Sequence, residues 1–171
     1  TCLTTIYSMG LRISEALRIR PTDICAERMV LHVRNSKGNK DRLVPLPHLT
    51  LHMLRRYWST HRNKTLLFPK FIGTKQSIRK TPFHMDKGGV QGALKAALHD
   101  SAIGKNITVH SLRHSYATHL VEMGVNLRVI QEILGHSSPV STAIYTQLSK
   151  PVIVDCNKTI NKLMDKLRIL V

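Results

Sequence analysis

Cysteine is scarce in this chain. Cys2, Cys25 and Cys156 are odd in number and far apart, with no CxxC pair among them. A disulfide framework and a zinc–thiolate site are both excluded as organising features, and the composition fits a reducing, intracellular compartment. No apolar run reaches the ~18 residues of a membrane-spanning helix. The first residues, TCLTTIY, lack the basic-then-apolar layout of a secretory signal. There is no initiator Met, and the chain opens inside a helical pattern, so a piece of a longer protein is expected. Long linkers, low-complexity tracts and internal repeats are absent too, and 171 residues suit one domain with a real core.

Acidic residues are the most telling shortage. Ten Asp and Glu stand against 26 Lys and Arg, a net charge of +16. Such a field attracts polyanions, and counterion release makes nucleic acid the leading partner. An anionic membrane surface would call for one helix with a concentrated basic face. Here the cations are spread along the whole chain, and no membrane association is expected.

Helical spacing marks the segment up to residue 19, with Gly10 as a break between two helices. Residues 28–34 (RMVLHVR) and 42–46 (RLVPL) read as strands, the second at an edge because of Pro45. The turn-rich NSKGNK between them predicts a β-hairpin. Helical patterns follow at 47–61, 86–100, 111–123, 127–134 and 157–170, with Leu112, Tyr116, Leu120 and Val121 as the apolar stripe of 111–123 and a short helix at 141–148. Asn126 suits a helix N-cap, and Gly124 and Gly135 suit helix ends. Residues 71–84 read as a polar, basic loop. The fold class is mainly α within α+β, with one small antiparallel sheet.

Four strings carry candidate chemistry: GLRISE around Arg12 and Glu15, SKGNKDR around Lys37, HSLRH from His110 through Arg113, and LGH ending at His136, with Tyr145 nine residues on. Cleaving a phosphodiester with a protein hydroxyl passes through a crowded, strongly negative phosphorane. Fixed cations on its oxygens, an acid for the leaving group and an in-line nucleophile all help. Arginine suits the first role because its fork donates two bonds and stays charged. Histidine and lysine suit proton transfer. Tyrosine suits attack because a phenolate leaves readily when the bond is resealed. No metal is needed for this set.

In order and wording these strings resemble the tyrosine recombinase (phage integrase) family, over about residues 4–148. The resemblance implies that Arg12, Lys37, His110, Arg113, His136 and Tyr145 are catalytic and that Glu15 orients the site. Ser36 departs from the glycine often found before the hairpin lysine, and residues 71–84 match no family wording. Lys37 is preferred over its neighbour Lys40 on that wording alone. The implied activity is cutting and rejoining double-stranded DNA through a 3′-phosphotyrosine, without cofactor. Residues 1–171 then form a single catalytic domain in the family's catalytic fold, with a DNA-binding domain expected upstream. Residues 149–171 are expected to pack on a neighbouring subunit of a homo-tetramer. The implied setting is cytoplasmic, prokaryotic and DNA-associated.

Each residue also has an ordinary role. Arg12 and Arg113 could be solvated helix arginines, and Glu15 an i,i+3 partner. Lys37 could be a turn residue, His136 a helix-end contact and Tyr145 a boundary side chain. The ordered set outweighs these readings. His110, His114 and His119 come without HExxH or a carboxylate cluster, so no metal is expected. Arg34, Lys40, Arg42, Lys75, Arg79 and Lys80 are expected to grip the DNA backbone. Two alternatives stay open: a helix-turn-helix protein that binds without cutting, and a type IB topoisomerase-like enzyme.

Overall fold

A computed structural model describes residues 1–34, 41–71, 73–135 and 150–166, and for 150–154 the helical backbone only. Helix α1 (Cys2–Ser8) and the short α2 (Ile13–Leu17) are separated at Gly10, as the spacing predicts. A three-stranded antiparallel sheet follows, ordered β1 (Ile24–Cys25), β2 (Val30–Val33) and β3 (Arg42–Pro45). β2 and β3 pair with Val33 opposite Arg42 and Val30 opposite Pro45. Pro45 lies on an edge strand, where its missing N–H costs no ladder bond. β1 was not evident in the sequence, because two residues are too short to show alternation.

The remaining helices are α3 (His48–His61), α4 (Lys75–Lys80), α5 (Lys87–Asp100), α6 (Val109–Glu122), α7 (Leu127–Leu134) and α8 (Lys150–Lys166). Local capping explains several starts. Asp86 accepts the Gly89 N–H, and the Asn126 carboxamide accepts the Arg128 N–H at 2.8 Å. The core is one cluster. Ile6, Met9, Leu11 and Leu17 meet Leu31 and Val44 of the sheet, Leu54, Tyr116, Leu120 and Ile133 of the helices, and Ile160 of α8.

The structure corrects the sequence reading in three places. Residues 71–84 are not simply a loop, since they contain α4. No α4 side chain is buried, so no apolar stripe announces it. It is held instead by Thr74, which accepts the Ser77 N–H, and by Asn63. The Asn63 side chain, 1% exposed, donates to the carbonyls of Ile78 and Thr81 and accepts the N–H groups of Thr65 and Leu66. Val121, expected on the inner stripe of α6, is 51% exposed, while Tyr116 and Leu120 are fully buried.

The third correction concerns the C-terminal segment. α8 begins seven residues before the predicted 157. It buries Cys156, Ile160, Leu163 and Met164 in the common core. Such burial is worth roughly 1.5–3 kcal/mol per large apolar side chain, which favours docking of α8 through residues 156–164. Asn161 Oδ1 accepts the His48 N–H at 2.9 Å, and Asn157 donates to the Met29 carbonyl.

Candidate active site

The site forms where α2, β3, α6 and the end of α7 meet, and Glu15 is its hub. Arg12 is the N-cap of α2 and Glu15 its third residue, so the carboxylate reaches back to the Arg12 N–H at 2.9 Å. The same carboxylate accepts Arg12 Nη1 at 2.8 Å. From β3, Arg42 meets it end-on, with Nη1 to Oε1 and Nη2 to Oε2, each at 2.9 Å. From α6, Arg113 Nη1 stands 3.9 Å from Oε2. Three guanidiniums thus surround one carboxylate.

Arg113 is buried and anchored by backbone. Its Nη1 donates to the Gly10 carbonyl at 2.7 Å, and its Nη2 donates to the Leu134 carbonyl. A guanidinium carries five N–H donors, so these bonds fix its plane without using all of them. Arg12 is the more open of the pair, its side chain 26% exposed, with Nη2 directed at the Gly135 carbonyl.

The electrostatics follow from this crowding. Burial raises the Glu15 pKa, but the Arg42 bonds and charge, with the Arg12 bonds, outweigh it and bring it down to about 2. Burial and the charge of Arg12 pull Arg113 down to about 10, with Arg42 adding to this and Glu15 opposing it, so it remains cationic at neutral pH. His110 stands exposed in the first turn of α6, its ring 4.5 Å from that of His114. Partial burial, then the charges of His114, Arg113 and Arg12, hold its pKa below the ordinary value. The result is a cluster of guanidiniums beside an imidazole whose neutral form is favoured. Its chemistry suits an oxyanion or phosphodiester.

Arg12, Glu15, His110 and Arg113, foreseen as a set, lie on the elements that meet here. Lys37, Lys40, His136 and Tyr145 lie outside the described residues. Lys75, Arg79 and Lys80 are exposed on α4. Arg34 is half-exposed and paired with Asp23 at 2.6 Å.

Arg42 does not fit its expected place as a backbone grip. Its side chain is only 9% exposed, committed to Glu15 and, through Nε, to the Ile133 carbonyl at 2.7 Å. A buried cation needs such partners, and they turn it away from solvent. Strand alternation carried this signal, because Arg42 shares its side of β3 with the fully buried Val44. Gly135 was foreseen as a helix end and does more. A Cβ there would stand 3.1 Å from Arg42 Cδ, and its φ is +64°. Among the described residues, no group of three or more His, Cys, Asp or Glu could hold a metal ion.

Comparison with known proteins supplies the context. The phage integrase family matches residues 1–151. A tyrosine recombinase of Thermosipho africanus is 40% identical over 149 residues, covering 87% of this chain and 49% of the relative. An integrase from mycobacterium phage Brujita superposes with a TM-score of 0.72 at 25% identity, covering 99% of this chain and 52% of its own. The XerH site-specific recombinase, in a post-cleavage complex with palindromic difH substrate, shares the fold. Its TM-score is 0.65 at 24% identity, covering 91% of this chain and 43% of that one. The chain spans about half the length of the curated relatives it matches.

Proposed function

This chain belongs to the phage integrase family, and from that premise we propose that it is the catalytic domain of a site-specific recombinase acting on double-stranded DNA. The observation that carries the reading is the convergence of Arg12 and Arg113 on Glu15, from elements far apart in sequence. A carboxylate gripped in this way aligns cations that a mere DNA binder has no need to align.

In the proposed reaction the Tyr145 hydroxyl attacks the scissile phosphorus. A P–O bond to tyrosine forms as the bond to the 5′-oxygen breaks. Arg12, Arg113 and His136 hold the non-bridging oxygens. Lys37 gives a proton to the leaving 5′-oxygen, and His110 supports proton transfer. The phosphotyrosine conserves the bond energy, so the freed 5′-hydroxyl of a partner strand reverses the step without a cofactor. A transposon integrase that shares the fold, Tn1549 integrase in complex with circular intermediate DNA, supports DNA as the substrate class.

The proposal extends to residues 149–171 as the contact between subunits of a homo-tetramer on DNA. α8 is docked on its own chain, so an exchange through it would have to release the Asn161–His48 and Asn157–Met29 bonds. A separate DNA-binding domain upstream and a cytoplasmic, prokaryotic setting belong to the same reading. No helix among the described residues is long and apolar enough to cross a membrane.

The test is a nicked suicide substrate carrying the cognate site, resolved on a denaturing gel. Wild type forms a covalent adduct, and Tyr145→Phe binds the DNA without forming one. An undiminished adduct in Tyr145→Phe would overturn the assignment. Binding by wild type with no adduct on its cognate site would favour the non-cutting reading.

A further inference from the structure

We propose that Arg42 is a positioning residue of the active site: it seats the Glu15 carboxylate in a two-point grip, ties it to the end of α7, and so holds Arg12 and the α7 terminus in register with the β2–β3 hairpin. The chemical consequence rests on the recombinase reading above. The structural part stands on its own geometry.

Arg42 spans three elements. It springs from the first residue of β3, on the strand that leads out of the hairpin connection. Its two terminal nitrogens bind the two Glu15 oxygens in parallel, each at 2.9 Å. Its Nε binds the Ile133 carbonyl at 2.7 Å, one of the last-turn carbonyls that a helix leaves without an internal partner. The planar fork makes this arrangement specific, because the three donors of a lysine ammonium sit on one nitrogen and cannot span both Glu15 oxygens and the Ile133 carbonyl as three guanidinium nitrogens do. Each Glu15 oxygen is shared between the two arginines. Oε1 takes Arg12 Nη1 and Arg42 Nη1, and Oε2 takes the Arg12 N–H and Arg42 Nη2. Arg42 is therefore the brace that stops the carboxylate from rotating, and the carboxylate is the stop against which Arg12 rests.

The environment leaves the brace little alternative. Gly135 passes so close that an added Cβ would stand 3.1–3.2 Å from Arg42 Cδ, Nε and Nη1. Arg42 is 9% exposed at the side chain against 26% for Arg12, so Arg12 faces the substrate side and Arg42 supports from behind. Removing the brace is expected to slow chemistry while leaving the sequence-independent hold on DNA intact. Residues that orient metal ligands from behind typically cost about 10- to 100-fold when replaced, and a loss on the same scale is expected here.

Arg42→Lys and Arg42→Gln in the full chain test this with three readouts. Single-turnover cleavage of the suicide substrate at saturating DNA should fall at least about tenfold in Arg42→Lys. For the salt readout the charge itself must go: in Arg42→Gln the dissociation constant and its salt slope should stay at wild-type values, whereas a side chain that neutralises a phosphate lowers the slope by about one when its charge is removed. The Glu15 carboxyl, followed by carbon NMR, should titrate higher in Arg42→Lys than in wild type. Wild-type cleavage, or a slope lowered by about one, overturns the proposal.

A fourth measurement needs no variant. In 15N-arginine-labelled wild type, the Arg42 Nε–H should exchange with water at least about tenfold more slowly than that of the exposed Arg79. Equal rates overturn the proposal even if Arg42→Lys fails to fold. If wild type forms no adduct at all, the recombinase reading fails, while the titration and exchange still decide for or against the brace.

Discussion

The bare α-carbon of Gly10 rests against the ring of Tyr116: a Cβ at Gly10 would lie 2.5 Å from Tyr116 Cδ1 and 2.7 Å from Leu134 Cδ2. The Gly10 carbonyl, on the same residue, receives Arg113. Close packing and site geometry therefore meet in one position, where φ is +59°.

Gly10→Ala should consequently destabilise the protein by about 2–4 kcal/mol, from overpacking plus the left-handed backbone. Urea melts of the two proteins measure this directly. A loss under about 0.5 kcal/mol, the scale of an ordinary surface substitution, would show that the Tyr116 ring yields easily.

Glu15 makes stability depend on pH in a defined window. Its pKa falls from 4.5 in the unfolded chain to about 2 in the folded one, so the unfolded state binds the extra proton. The stabilisation is complete above about pH 4.5 and disappears as pH falls through about 2. Denaturant midpoints of wild type and Glu15→Gln should differ at pH 7 and converge on acidification. A gap that stays constant from pH 7 to pH 2 would contradict the assigned coupling.

His110 should titrate below the ordinary histidine value of 6.5, because partial burial and the charges of His114, Arg113 and Arg12 disfavour its imidazolium. Replacing His114 by Gln removes one of these charges, so the His110 midpoint should move up. Proton–carbon NMR titration of the imidazole reads both values. An unmoved midpoint would mean that the paired rings do not interact electrostatically.

Lys75, Arg79 and Lys80 are exposed on α4, in contrast to the inward Arg42. Neutralising them to Gln should weaken DNA binding similarly across sequences and reduce the salt slope by about one for each phosphate no longer neutralised. An unchanged slope in the triple variant would remove α4 from the DNA-facing surface.

Much of the fold was legible locally. Helices α1 to α3 and α5 to α7 show 3.6-residue spacing and carry their own start and stop signals, such as the N-cap Asn126 at 2.8 Å from the Arg128 N–H and Gly135 at φ +64°. Arg12, Glu15, His110 and Arg113 were named together on their resemblance to the family's ordered signature, and the structure places them on elements that meet. α4 was not readable, since its anchor is Asn63, a buried carboxamide that reaches Ile78 and Thr81 across 15 and 18 residues.

By itself, then, the sequence determined which residue types could build a cationic phosphate site and where most helices begin and end. Those properties depend on side-chain chemistry and on neighbours within a turn or two. Only the tertiary structure decided that Arg42 faces inward, that Arg113 hangs from Gly10 and Leu134, and that α8 folds back on its own chain. Each depends on desolvation by distant residues. A guanidinium placed where water is excluded must take whatever oxygens the fold brings there, and for Arg42 those belong to Glu15, 27 residues away, and Ile133, 91 residues away.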